Sequence, residues 1–205
     1  MVIADRANGL ARNRARWRFG SDPRNVVLTP AYVLEPIRAA LGGVIGLDPC
    51  TEPDNPTGAE RWYALPTNGL AEPWDAESVY CNPPYGAARV PWIRRCIELG
   101  QTGRYRVALL IPAETDTPIV QGVLAGADAV TLIHGRLVWG GSRPNGRAVA
   151  QGRGSMVATW GADVDPLAEL GVTMRACSGP SLGSAVGPDT SHIRSLPPRA
   201  EGGRG

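Results

Sequence analysis

The chain of 205 residues contains no lysine, and all 21 of its basic residues are arginine. That absence excludes a Walker-type Gly-Lys-Ser/Thr phosphate loop, the strand lysine of a protein kinase and any Schiff-base lysine. It also makes every side-chain cation a planar five-donor fork, so contacts to phosphate would come from arginine. Histidine is almost as scarce, with only His134 and His192, and the four cysteines (Cys50, Cys81, Cys96, Cys177) form no Cys-x-x-Cys pair. A zinc site would need ligands scattered along the chain, so no metal is expected. Long apolar runs are missing too: nowhere does the chain approach the roughly 18 apolar residues that a membrane helix needs. Its first residues carry arginine rather than an apolar leader. A cytoplasmic chain without membrane contact or an obligate protein partner is the expectation.

What is present, 43% hydrophobic and 20% charged residues, suits one modest domain. Charge and punctuation divide the chain in three. Residues 1–25 hold six arginines against two aspartates with little apolar periodicity, and read as a flexible basic arm. Residues 161–205 drift into Gly, Pro, Ser and Arg and read as a mostly disordered tail, because such a stretch buries too little surface to offset chain entropy. The folded unit is then 26–160. Within it, short apolar runs ending in Gly, Pro or Asn alternate with segments of helical period, the pattern of an α/β domain with a mostly parallel sheet flanked by helices. Strands are expected at 44–47, 78–81, 105–111 and 129–133. Helices are expected from Pro30, with Thr29 as its cap, and at 91–99 and 117–124. Residues 136–139 and 155–160 read as the two strands of a C-terminal antiparallel hairpin, joined by the Gly/Arg-rich segment 140–154.

In open α/β sheets ligands sit where strands end. Two ends stand out. One carries an acid, Asp48, followed by Pro49-Cys50-Thr51 and a proline-rich loop. The other carries Asn82-Pro83-Pro84-Tyr85-Gly86. Two prolines fix φ near −65° and remove two donors, leaving carbonyls and one side-chain amide as a stiff acceptor-rich wall beside an aromatic ring. Such a wall suits an amine nucleophile, whose hydrogens the Asn82 and Pro83 oxygens can accept while Tyr85 stacks on the base bearing it. Read alone, Asn-Pro-Pro-Tyr could equally be a surface turn or a proline-rich ligand. Its place at the end of a buried strand, with a second strand ending in Asp-Pro, favours the site.

From about Trp17 to Trp160 the sequence resembles the S-adenosylmethionine-dependent amino-methyltransferases of nucleic acids, specifically the phage-type Dam family of DNA N6-adenine methyltransferases. The resemblance rests on Leu28-Thr29-Pro30, Leu47-Asp48-Pro49-Cys50, Asn68-Gly69-Leu70 with Trp74, and Val79 to Gly86 with Trp92. It continues through Leu110-Ile111-Pro112-Ala113 with Thr115-Asp116-Thr117, and His134-Gly135-Arg136-Leu137. It implies a Rossmann-like class I methyltransferase fold, methyl transfer from S-adenosyl-L-methionine to the N6 amine of adenine in double-stranded DNA, and a bacterial cytoplasm as the setting if the gene is phage- or prophage-borne. Position by position, Thr29 and Pro30 would lie near the cofactor's carboxylate and Asp48, with Pro49 and Cys50 beside it, would hold its amino group or ribose. Asn68, Gly69 and Leu70 would line its adenine, and Asn82, Pro83, Pro84 and Tyr85 would carry the transfer. The chain departs from the pattern in two places: no Gly-x-Gly turn follows Asp48, and Asn68 stands where an aspartate is usual. Target reading is expected from the 140–154 segment, through Arg143, Asn145, Arg147 and Arg153. Methylation of RNA or of a protein glutamine amide, and a catalytically inactive DNA-binding relic, are the alternatives.

Overall fold

A computed structural model describes residues 28–84, 86–139, 149, 150 and 152–176. Nine strands and three α-helices are assigned among them. In chain order they are α1 (Ala31–Ala40), β1 (Leu47–Asp48), β2 (Arg61–Trp62), β3 (Ser78–Cys81), α2 (Val90–Gln101), β4 (Arg106–Pro112), α3 (Pro118–Gly126), β5 (Ala129–Ile133), β6 (Val138–Trp139), β7 (Val149–Ala150), β8 (Ser155–Trp160) and β9 (Gly171–Arg175). Seven strands form one sheet in the order β2-β1-β3-β4-β8-β5-β9. The β2, β1, β3 and β4 strands pair in parallel, whereas β8 runs antiparallel between β4 and β5, and β9 closes the far edge antiparallel to β5.

Alternation along the central strands loads both faces of the sheet, since successive side chains point to opposite sides. Tyr80, Ala108, Leu110 and Val157 pack with Val33, Leu34, Ile37 and Leu41 around α1 on one face. Val79, Cys81, Val107, Leu109 and Ala158 pack with Ile93 and Cys96 of α2 and Val120 and Val123 of α3 on the other. The mixed sheet flanked by helices is Rossmann-like, as expected.

Details differ from expectation for physical reasons. Thr29 does not cap α1: Pro30 occupies the N-cap with no side-chain cap bond, and its carbonyl accepts from Val33 and Leu34 at 2.9 and 3.0 Å. Val44 is 45% exposed and precedes the strand proper, which is only Leu47–Asp48. The two segments expected to form one hairpin do not pair with each other. Val138–Trp139 pairs with Val149–Ala150 in a separate ribbon, while Ser155–Trp160, buried along its whole length, enters the main sheet. Regular structure also continues past residue 160, through a 3₁₀ turn at Asp165–Glu169 into β9, which pairs with β5 along five residues. The stretch 161–205 therefore contributes at least Gly161 to Ala176 to the fold. The basic arm of residues 1–25 and the remainder of the tail lie outside the described residues.

Candidate active site

β1 and β3 are adjacent parallel strands, with Leu47 opposite Val79, so their carboxyl ends lie side by side. Asp48 ends one strand and Asn82 follows the other. Cys50 ties them together: its N–H donates to Asp48 Oδ1 at 3.1 Å and its Sγ donates to the main-chain oxygen of Asn82 at 3.3 Å. Its sulfur also lies 3.6 Å from that of Cys81.

Asp48 is only 2% exposed. Thr57 donates to its Oδ2 at 2.9 Å. Burial pushes the carboxyl up to about 6, against the downward pull of those hydrogen bonds. Thr57 in turn is held by Arg38 of α1, which donates to its carbonyl at 2.7 Å. Asn55, at φ 50°, clasps Ala59 through both atoms of its amide, at 2.9 and 3.1 Å. Asparagine tolerates this left-handed conformation better than most residues. The proline-rich loop after Asp48 thus takes its shape from side-chain hydrogen bonds where the related pattern uses a Gly-x-Gly turn. Burial raises the Cys50 thiol and raises Cys81 and Tyr80 well above their usual values, so all three stay protonated near neutrality and none offers an anionic nucleophile.

Beside this junction lies a pocket of about 430 Å³ lined by Pro49, Cys50, Thr51, Tyr63 to Leu70, and Trp92. Its size falls within the usual range for small-ligand sites. Apolar walls from Tyr63, Leu65, Leu70 and Trp92 suit a flat ring, and Thr51, Thr67 and Asn68 supply polar atoms. These residues fit a nucleoside-bearing cofactor. Gly69 is required where it stands, because a Cβ there would lie 1.9 Å from the Pro49 carbonyl oxygen. Behind the pocket Trp74 and Trp92 stack at 6.0 Å, Trp74 Nε1 donates to the Gly69 carbonyl at 2.8 Å, and Arg95 lies 4.6 Å over the Trp74 ring. Arg95 also donates to the carbonyls of Leu70 and Glu72, clamping the 68–72 loop onto α2.

Of the expected cofactor residues, Pro49, Cys50, Asn68, Gly69 and Leu70 line this pocket, whereas Thr29, Pro30 and Asp48 do not. Thr29 instead bonds Tyr80 and the Asn82 side chain. Pro83 is buried and Pro84 half-buried. Tyr85, Arg143, Asn145 and Arg147 lie outside the described residues. Arg153 is exposed and pairs with Glu114, which also pairs with Arg89, so one carboxylate after β4 joins the turn following Asn82 to the start of β8. Arg38, Asn55, Thr57, Tyr80, Arg89, Arg95 and Glu114 were not singled out by sequence. Most of their partners are 19 or more positions away. The local exceptions are Thr57 with Asp48, 9 positions back, and Asn55 with Ala59, 4 positions on, and there the Asn-Pro-Thr-Gly stretch is the one local signal.

Among the described residues, no group of three or more His, Cys, Asp or Glu is placed to hold a metal, and no helix is long and apolar enough to cross a membrane. No curated protein and no solved structure matches the chain. The family model for the DNA N-6-adenine-methyltransferases (Dam) does match, over residues 20–175, a span that takes in both strand ends, the pocket and β9. On the strength of that match, which covers most of its length, the chain belongs to the DNA N-6-adenine-methyltransferase (Dam) family.

Proposed function

We propose that this protein transfers a methyl group from S-adenosyl-L-methionine to the N6 amine of adenine in double-stranded DNA. The observation that carries the reading is the junction at Cys50, which lines the pocket and at the same time bonds the main chain of Asn82. A ligand in the pocket would therefore lie next to the acceptor-rich wall. S-adenosylmethionine, when bound, supplies an electrophilic methyl on a sulfonium. Pro49, Cys50, Asn68, Gly69 and Leu70 would hold it.

The chain's own contribution follows from the chemistry of the amine. Adenine's exocyclic nitrogen is a poor nucleophile because its lone pair is delocalised into the ring, and it gains positive charge as it attacks. The oxygens of Asn82 and Pro83 accept its hydrogens and interact more strongly as that charge develops, each contributing about 3 kcal/mol by analogy with measured oxyanion-hole groups. Holding the reactants at near-attack distance removes a further ~7 to 11 kcal/mol of barrier. No base is needed before attack. A base within a duplex cannot reach such a site, so the nucleotide is swung out at a cost of a few kcal/mol, offset by stacking on Tyr85. Arg143, Asn145, Arg147 and Arg153 contact the duplex, and Arg153 is pre-positioned by Glu114.

The test is methyl transfer from labelled cofactor to duplex DNA, RNA and a protein glutamine substrate in parallel, followed by base analysis. Label recovered as N6-methyladenine in DNA is expected. Label confined to RNA or protein, or no cofactor binding by calorimetry, overturns the reading in favour of another acceptor or an inactive relic.

A further inference from the structure

A threonine ahead of a helix normally turns its hydroxyl to the first free N–H groups. Thr29 does not, because Pro30 begins α1 unaided. The Thr29 hydroxyl is spent elsewhere: its Oγ1 lies 2.6 Å from Tyr80 Oη and accepts from Asn82 Nδ2 at 3.2 Å. Tyr80 is fully buried on β3, two residues before Asn82, and burial keeps its phenol protonated. A hydroxyl has one proton and two lone pairs, enough to serve both partners at once.

We propose that Thr29 is a positioning residue that sets the orientation of the Asn82 amide for methyl transfer, with Tyr80 holding Thr29 in place. The inference rests on the reading of Asn82 given above. An amide is two-faced: its terminal torsion has two broad states that exchange oxygen for NH₂. Only the state with the oxygen toward the substrate offers an acceptor to an amine, and the other sets donor against donor. Anchoring Nδ2 on Thr29 selects the productive state. The main chain of the same residue is held by the Cys50 thiol. This role differs from a cofactor-carboxylate contact for Thr29, which would act on cofactor affinity.

The experiment uses the full chain and the variants Thr29→Val, which keeps the shape without the acceptor, Thr29→Ser, which restores it, and Tyr80→Phe. Two measurements are made. In amide-correlation NMR, the Asn82 side-chain signals, identified by their loss in Asn82→Ala, should shift and exchange faster with solvent in Thr29→Val and stay in place in Thr29→Ser. In single-turnover methylation at saturating cofactor, Thr29→Val should fall about 10- to 100-fold, with the cofactor dissociation constant unchanged, serine restoring the rate and Tyr80→Phe showing a smaller loss. Unmoved Asn82 signals in Thr29→Val, or weaker cofactor binding with a normal saturated rate, would overturn the proposal. If the wild-type chain methylates no adenine, the functional reading fails by itself, while the NMR comparison still decides whether Thr29 orients Asn82.

Discussion

Asp48 shows how a single buried carboxyl couples the site to pH. Its folded value of about 6 stands above the ordinary 3.8, so folding favours the protonated form. The ionised group costs nothing below pH 3.8, its cost grows as pH rises through the window up to about 6, and it persists above, reaching about 3 kcal/mol. Asp48→Asn should therefore melt at a higher temperature than wild type at pH 8, with the gap closing as pH falls toward 4. Thr57 can reverse its bond to serve an amide, since Asn55 Oδ1 lies 3.4 Å away as an alternative acceptor for its proton. A lower melting temperature for the variant at pH 8 would show that the carboxylate's charge is compensated. At the transfer motif, Asn82→Ala should abolish methylation with the fold intact by circular dichroism, and near-normal turnover would remove Asn82 from the acceptor role. Tyr85→Ala should reduce turnover far more than cofactor binding, and equal losses in both would count against stacking. Asn82 and Asp48 were legible because prolines follow each and mark a strand end. Thr29 was misread because a Thr-Pro pair before an apolar period signals a cap, and nothing local reveals a hydroxyl partner 51 positions away.

Elements with their own periodicity were found nearly to the residue. Ser78–Cys81 and Ala129–Ile133 agree at both ends, and the helices expected at 91–99 and 117–124 run Val90–Gln101 and Pro118–Gly126, each end within one or two residues. Three strands escaped: β7, inside the segment read as a connector, and two more, β2 and β9, whose reasons for existing lie outside themselves. β2 is two residues long and is held by β1 and the flanking ladder, including Glu60 N–H to Ile45 and Tyr63 N–H to Asp48. β9 does alternate, Val172-Thr173-Met174-Arg175, but over only five residues at a sheet edge, and its apolar side chains Val172 and Met174 are 68% and 48% exposed, so its place comes from pairing with β5 rather than from burial. Packing between elements is close where α2 meets β8. Gly100 sits against Trp160, and a Cβ there would come within 2.2 Å of the indole. Trp160 Nε1 donates to Gly126 at 2.6 Å, so one side chain locks α2 and α3 to the sheet. Gly100→Ala should destabilise the domain by about 1 to 3 kcal/mol in denaturant unfolding, and an unchanged midpoint would mean the ring has room to move.

For the molecule as a whole, charge is the property least tied to the fold. The middle of the chain is nearly neutral, and the segment 140–154, which leads into β8, gathers Arg143, Arg147 and Arg153. If these reach phosphates, replacing all three with glutamine should reduce the slope of log affinity against log salt by about 3 for duplex DNA, read by titration at several ionic strengths. An unaltered slope would assign the segment no backbone contact. The general architecture was legible from the alternation of strands and helices, but the order of strands was not. The antiparallel β8 could have lain at an edge; its six buried residues and register with both β4 and β5 place it inside. That position bears on how the polypeptide matures during synthesis. Until Ser155–Trp160 has left the ribosome, the emerging chain holds two sticky strand margins with an unfilled lane between them, and a truncated product ending earlier would be an aggregation hazard rather than a weaker enzyme.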